Sequence, residues 1–529
     1  MKIIHKRDRS SKKMLGNVSG ENKLTDTSPL EEGLGNNLAA FQQFIGQSHD
    51  INIRKIKLHI GSGIDSALLF VEGLADKDAI NDGVIKALKF PQLPADKQGE
   101  IKQDKLIAAI TEMIITHAKV EQYETWTDIL DKLLSGDAVL LVDGFKCAII
   151  IGTRKWVDRG VEQPANEQVI RGPRDSFTET LTTNIMLIRR RIKSHKLRFL
   201  KLKIGSLTKT DVSIAYIDGI ANTKLIEEVQ KRLNRIDTDG ILETNMLEEF
   251  IEDSSFSPVP QLTHTERPDS ATAQLLEGRV VILVDGTPNV LVAPTTFWRF
   301  LYSPEDYYQR VYTSFLIRIL RVVTLVTALG LPSFYIAIAS FHQELIPVGI
   351  LDIIITARRN IPFPIMIEVL LMEFILEAIR EAGVRLPRNV GQAISIVGAL
   401  VLGQAAIQAK IASPATVTVV AITAIANFTI PAFSAALSMR ALRFVLIIIS
   451  GTLGVFGFLT ALYVFLIHLC SLRSFGEPYM APYAPAMPTD FKDSIFRLPV
   501  WAMSIRPRSL RTKDAVRKKK DMKPDPDQK

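Results

Sequence analysis

Three glutamates stand where charge is least expected. Glu368, Glu373 and Glu377 interrupt the run from Ile361 to Ile379, whose other residues are almost all apolar. A carboxylate inside hydrocarbon is costly unless it faces water, a partner or the interior of a helix bundle. On a helix, Glu373 and Glu377 fall one turn apart on a shared face, and Glu368 lies off it. Several copies around an axis would turn such carboxylates into negative rings that favour cations, so all three are candidate ion-pathway residues. The same pattern fits an interfacial helix lying flat with its carboxylates among headgroups. Arg380, three residues beyond Glu377, suits that second reading. Pro362 and Pro364 mark the entry to the helix. Exchanging Glu373 and Glu377 for Gln is expected to reduce ion flux and leave assembly intact.

Other chemistry is sparse. Cys147 and Cys470 are far apart, and neither has a second Cys or a His at ligand spacing, so no metal site or disulfide framework is expected. Gly61-Ser62-Gly63 and the Asp-Gly turns at Asp143 and Asp285 lack a Walker pattern, a dinucleotide fingerprint and a metal cluster. No catalytic residue and no cofactor is expected, and the chain is read as a non-enzyme.

The elements that would carry the glutamates follow from how apolarity is distributed. The 47% apolar content of 529 residues hides a strong segregation. The first three fifths are mixed and charged, the stretch Val322 to Leu469 is apolar, and the end is basic. Four charge-poor runs are long enough to cross a bilayer: Val322–Ser340, Val390–Ala409, Pro414–Leu437 and Phe444–Leu469. Leu345–Ala357 and Ile361–Ile379 are ambiguous, which leaves four spans, or six if both cross. Met1 to Gly35 has no apolar signal core, and the tail after Ser471 holds 13 Lys or Arg against 7 Asp or Glu. Both ends are therefore expected on the cytoplasmic side. That bias, rather than nucleic-acid binding, accounts for the basic tail; lipid is the expected contact. Gly391, Ser395, Ala399 and Gly403 form a small-residue ridge, and Gly451, Gly454 and Gly457 a second stripe, as helix–helix contacts require.

The soluble region repeats itself. Lys57–Ser62 is echoed by Lys201–Ser206, Phe70–Ala75 by Tyr216–Ala221, and Gly136–Gly144 by Gly278–Gly286, at offsets of 144, 146 and 142 residues. Between the copies, Arg171-Gly172-Pro173-Arg174 precedes Ser176 and Glu179, whose capping-box spacing predicts a helix start. Phe177, Leu181, Ile185, Ile188 and Ile192 share its apolar face, and Arg189, Arg190 and Arg191 lie near its end. This element is either a connecting helix with a solvated basic edge or a docking site for a partner, a second copy or anionic lipid.

The expected fold is thus an α+β soluble N-terminal part of two tandem duplicated α/β subdomains, followed by an all-α polytopic membrane domain. Residues 1–50 would be a disordered polar N-terminus, 51–160 and 197–308 the subdomains, and 161–196 the linker with its amphipathic helix. Residues 309–470 would form the transmembrane domain and 471–529 a basic cytoplasmic tail.

The strings Arg171–Lys193, Thr265–Asp269, Leu283–Pro288, Ser303–Tyr308, Arg380–Pro387 and Ser395–Gly398 resemble the signature of the GerA family of spore germination proteins, over roughly Ile53 to Ile495. One departure is Asp175-Ser176-Phe177, where the family commonly has Glu-Gly-Phe. The resemblance implies an A subunit of a nutrient germinant receptor in the spore inner membrane. It implies a transporter-like B subunit and a lipoprotein C subunit as partners, and assembly as a homo-oligomer forming a nutrient-gated ion channel. A secondary transporter of a small nutrient is the alternative; broken helices near Pro362, Pro364 and Pro414 would suit it, but no membrane half is duplicated.

Overall fold

A computed structural model describes residues 28–58, 63–89, 119–155, 163–385 except 165, and 401–519, with a few isolated positions beside them. The chain divides into two compact units: residues 1–44 with 52–155, and 45–51 with 156–529.

In the first unit, helix α1 (Leu34–Ile45) precedes strands β1 (Ile51–Leu58) and β2 (Ile64–Val71). Then come β3 (Val120–Tyr123), α2 (Trp126–Leu134), β4 (Ala138–Val142) and β5 (Ala148–Ile151). The sheet order is β1-β2-β4-β5-β3. The continuous apolar runs of β4 and β5 are buried throughout, as central strands covered on both faces should be. The expected disorder of residues 1–50 is corrected over 28–50; residues 1–27 lie outside the described residues. Phe41 and Phe44 of α1 pack on Trp126, with ring centroids 6.0 and 5.7 Å away, and that burial offsets the ordering of a Gly- and Asn-rich segment.

The second unit opens its α/β region with α3 (Leu181–Arg191), β6 (Leu197–Ile204), β7 (Thr210–Ile217), α4 (Thr223–Arg235) and α5 (Thr244–Ile251). It closes with β8 (Thr263–Thr265), α6 (Pro268–Glu277), β9 (Val280–Val284) and β10 (Val290–Ala293). Its sheet order is β6-β7-β9-β10-β8, and every pair is antiparallel. Helices α4 and α5 bury Leu225, Val229, Leu233, Leu247 and Ile251 against Val212, Ile214 and Ile282.

The Asp-Gly turns have a structural task in each sheet. Asp143 Oδ1 accepts from the Leu34 amide at 2.8 Å, at the start of α1. Asp285 Oδ1 accepts from the Leu181 amide at 3.0 Å, at the start of α3. The Gly144 and Gly286 amides donate to the Glu32 and Glu179 carbonyls. A free N-terminal amide of a helix is thereby satisfied by a turn distant in sequence. The helix start expected near Ser176 is corrected for the same reason. The helix begins at Leu181, and Ser176 Oγ instead donates to the Glu266 carbonyl at 2.9 Å. Ser176 has no positive φ, so the glycine common at this place is not needed for its backbone.

The rest of the second unit is helical: α7 (Val311–Phe341), α8 (Val348–Arg358), α9 (Ile365–Arg385), α10 (Pro414–Phe428) and α11 (Phe433–Ser471). Two of these, α7 and α11, are long and apolar enough to cross a membrane. The run expected as Pro414–Leu437 is broken: α10 stops at Phe428, and Pro431 precedes a new helix from Phe433. Gly454 (φ 59°, ψ −144°) breaks α11 in turn, inside the run expected as Phe444–Leu469. A Cβ on Gly457 would stand 2.7 Å from the Ile449 carbonyl, although residues eight apart on a straight helix are about 12 Å apart. The chain therefore reverses, and 433–453 and 455–471 lie side by side as two arms. Of the span expected as Val390–Ala409, residues 390–400 lie outside the described residues, and 401–408 are helical.

The basic tail folds back on the α/β region of the second unit. Tyr479 is fully buried and its hydroxyl donates to the Pro260 carbonyl. Ser474 Oγ donates to the Gln261 carbonyl, and Arg506 Nε to the Leu276 carbonyl at 2.9 Å. Each of these donors meets a backbone carbonyl of the α/β region, a group that needs a hydrogen-bond partner wherever it is shielded from water.

Candidate functional site

Each glutamate of the acidic helix meets an arginine, from α8, from α11 or from the helix itself. Glu368 is fully buried. Its Oε2 accepts from the Ser413 amide and from Thr416 Oγ1, both at 3.0 Å, at the N-terminus of α10, where a negative charge is favoured. Its Oε1 lies 2.9 Å from Arg358 Nη2 of α8. Glu373 takes Arg443 Nη1 of α11 on both oxygens, at 2.9 and 2.8 Å, and both side chains are 1% exposed. Glu377 meets Arg380 at 2.8 Å and Arg440 of α11 at 3.1 Å.

The spacing explains the pairing. Glu373 and Glu377 present one face of α9, and Arg443 and Arg440, three residues apart on α11, meet them in reverse order because the helices run antiparallel. Gly451 continues the same contact: a Cβ there would overlap the Met366 side chain, which would have to shift to keep α9 as close. Gly403 faces Val417 of α10 at ordinary contact distance, Gly454 makes the chain reversal, and Gly457 sits where the two arms meet. Gly391, Ser395 and Ala399 lie outside the described residues. In this conformation each of the three glutamates holds at least one guanidinium. A Gln at 373 would therefore leave Arg443 unpaired, so the expectation that assembly would stay intact is revised. The residues missed in the sequence were the partners: Arg358, Arg440, Arg443, Ser413 and Thr416. Arg440 and Arg443 had a legible signal in their matching spacing, but their charge suggested a loop.

A second constellation ties together three strings far apart in sequence. Arg267 is fully buried. Its guanidinium pairs with Asp269 at 2.8 Å and donates to the Pro173 carbonyl at 2.8 Å and the Glu167 carbonyl at 3.1 Å. The Tyr308 hydroxyl donates to the same Asp269 carboxylate. Burial, then that bond, pushes the Tyr308 hydroxyl pKa up. Gly172 has φ +138°, and a Cβ there would stand 2.6 Å from the Tyr308 ring. Arg171 and Arg174 remain exposed on the loop so held. The arginine triplet splits: Arg189 is buried on Asp50 at 2.8 Å, Arg190 is exposed, and Arg191 pairs with Asp175.

At the junction of the α/β region and the helices, Ser257 Oγ lies 3.0 Å from His468 Nε2 of α11. Near it, the Glu252 carboxyl is pushed up to about 7 by burial, and further by the charges of Glu248, Glu249 and Asp253. A carboxyl raised in the folded state binds a proton that the unfolded chain releases, so stability is lost as pH climbs from about 4.5 through 7. Glu252→Gln should flatten that loss, on the order of 1 kcal/mol after solvent screening, in melting temperatures compared at pH 5 and pH 8.

One α/β sheet in the first unit, and in the second unit another followed by apolar helices that bury carboxylate–guanidinium pairs, define a class: a protein with α/β sheets and a helical part in which α7 and α11 are long and apolar enough to cross a membrane. The family model described as Bacillus/Clostridium GerA spore germination protein matches residues 39–509. The chain is 44% identical over 497 residues to spore germination protein KA of Bacillus subtilis (strain 168), covering 94% of this chain and 90% of that protein. It is 38% identical over 494 residues to spore germination protein GerLA of Bacillus cereus, covering 93% and 99%. A crystal structure of the N-terminal domain of the A subunit of the Bacillus megaterium spore germinant receptor GerK3 aligns at 36% identity with a TM-score of 0.41, over 51% of this chain and 98% of that one. The chain belongs to the GerA family of spore germination proteins.

Proposed function

We propose that this chain is the non-enzymatic A subunit of a nutrient germinant receptor in the spore inner membrane, and that its membrane helices form a cation path closed by arginines. It would assemble as a homo-oligomer with a transporter-like B subunit and a lipoprotein C subunit. The observation that carries the reading is the pairing of buried Glu373 with Arg443 and of half-buried Glu377 with Arg440 between two apolar helices. Ionised groups inside a membrane are expensive and are retained for ion pathways and switches. Germinant binding would favour a state in which the pairs separate and the acidic face of α9 turns to water. A ligand can drive such a shift only by binding that state more tightly.

Six crossings are proposed: α7, α9, the segment holding 401–408, α10 and the two arms of α11. Thr324 meets Thr429 at one end of the bundle and Phe341 meets Gly454 at the other, which supports alternating directions. Helix α8 is left out because its 11 residues make it the shortest of these helices and it carries Asp352. An even number keeps both chain ends on one side, read as cytoplasmic. Duplication of the α/β region is proposed on the equal strand orders and on the matched tasks of Asp143 and Asp285.

Arg440→Gln tests the gate, because Arg380 still pairs with Glu377 and the helix contact survives. The expected result is a raised release of monovalent cations before nutrient is added, with normal membrane levels of the protein. Release that is unchanged both with and without nutrient would defeat the cation path. Stoichiometric uptake of labelled nutrient into liposomes would favour a transporter instead.

A further inference from the structure

The outward face of α7 stays apolar well below its membrane-crossing stretch. Tyr312, Leu316, Leu320, Val323 and Val326 are all exposed, at three- and four-residue spacing. Arg318 and Arg321 of the same turns point inward, onto Asp306. The folded tail extends this apolar face sideways. Phe496 stacks on Phe315 of α7 with centroids 5.3 Å apart and planes 22° apart. Phe496, Val500 and Trp501 are 56, 59 and 40% exposed. Basic side chains rim the patch: Arg310, Lys492 and Lys519 are exposed, and Lys518 Nζ donates to the Val500 carbonyl.

We propose that the base of α7 and the tail segment 496–519 form an interfacial anchor that takes the surface of an anionic phospholipid bilayer. Aromatic and aliphatic groups would enter the headgroup layer, and the lysines would meet lipid phosphates. Two observations choose this occupant over a protein. The patch is continuous with the apolar stripe that runs up α7, and its rim is cationic, the sign that anionic leaflets attract. Trp501 combines an apolar ring with a polar N–H, which suits the boundary between headgroups and acyl chains. The anchor has a mechanical consequence. Asp493 of the same tail pairs with Arg318 at 2.9 Å, and Arg497 donates to Ser314 Oγ at 3.1 Å, so lipid held by the tail is coupled to the foot of α7.

This inference rests on the membrane reading above, and the test separates the two. The full-length chain is reconstituted into vesicles of phosphatidylcholine, with or without phosphatidylglycerol, containing lipid brominated near the headgroup. Tryptophan emission is compared between wild type and Trp501→Phe; the other tryptophans are Trp126, Trp156 and Trp298. The expected result is that Trp501→Phe loses most of the quenching. In wild type, quenching should be stronger with phosphatidylglycerol and should weaken as salt rises. Lys518→Glu/Lys519→Glu should remove the salt-dependent component alone. Equal quenching of wild type and Trp501→Phe would overturn the proposal. So would cross-linking of Trp501→Cys to a second copy or another protein in place of lipid contact. Retention of the chain in the membrane fraction at alkaline pH, together with an unquenched Trp501, sinks only the anchor; release into the supernatant sinks the membrane reading as well.

Discussion

Glu373→Gln should destabilise the folded chain by about 3–5 kcal/mol, the usual cost of stripping one partner from a buried ion pair. Arg443 is 1% exposed, and its Nη1 is the atom that holds Glu373. With a neutral amide opposite, its full charge stays buried in an apolar surround, where water cannot compensate. Arg443→Gln should cost a similar amount for the mirror reason. Replacing both, as Glu373→Leu/Arg443→Leu, should recover most of the loss, because an apolar pair of similar volume removes both desolvation costs. Thermal unfolding in detergent and the amount of each variant in the membrane fraction provide the readout. A single variant that melts with wild type would show that the pair is open to water.

Asp306→Asn is expected to have an effect of comparable size at the foot of α7. The Asp306 carboxylate is 1% exposed and takes Arg318 at 3.2 Å and Arg321 at 2.7 Å. Losing its charge leaves two buried guanidinium groups sharing backbone carbonyls and Asp493. The loss should again be about 3–5 kcal/mol. It should also loosen the tail, which Arg497 and Asp493 fasten to the same place. Limited proteolysis gives a specific signature: faster cleavage at Arg508 and Arg511, while the sheet holding β6 to β10 stays protected. Unchanged cleavage there would mean that the tail is held independently of Asp306.

Local pattern accounts for what could be anticipated and for what could not. The apolar runs of α7 and α11 were visible because hydrocarbon length needs a long stretch of one kind of side chain. Helix α1 was hidden by Gly33, Gly35, Asn36 and Asn37, which argue for a loop until Phe41 and Phe44 find Trp126. The reversal at Gly454 was hidden because a glycine among small residues also signals close helix packing. The folding of the tail was not legible because its arginines count in the sequence only as charge, whereas Arg497 and Arg506 donate to carbonyls of distant segments.

By itself, the sequence determined the division into a polar, mixed region and an apolar one, the position of the acidic helix, and membership in the GerA family. Each of these depends on residue types close together or on strings long enough to be specific. Only the tertiary structure decided which arginine answers which glutamate, where the long helices break, and that the basic end folds back on the protein. Those outcomes depend on charge pairs 63 and 70 residues apart and on packing between elements, and no local periodicity encodes them. Burying a charge selects its partner by distance in space, not by distance along the chain.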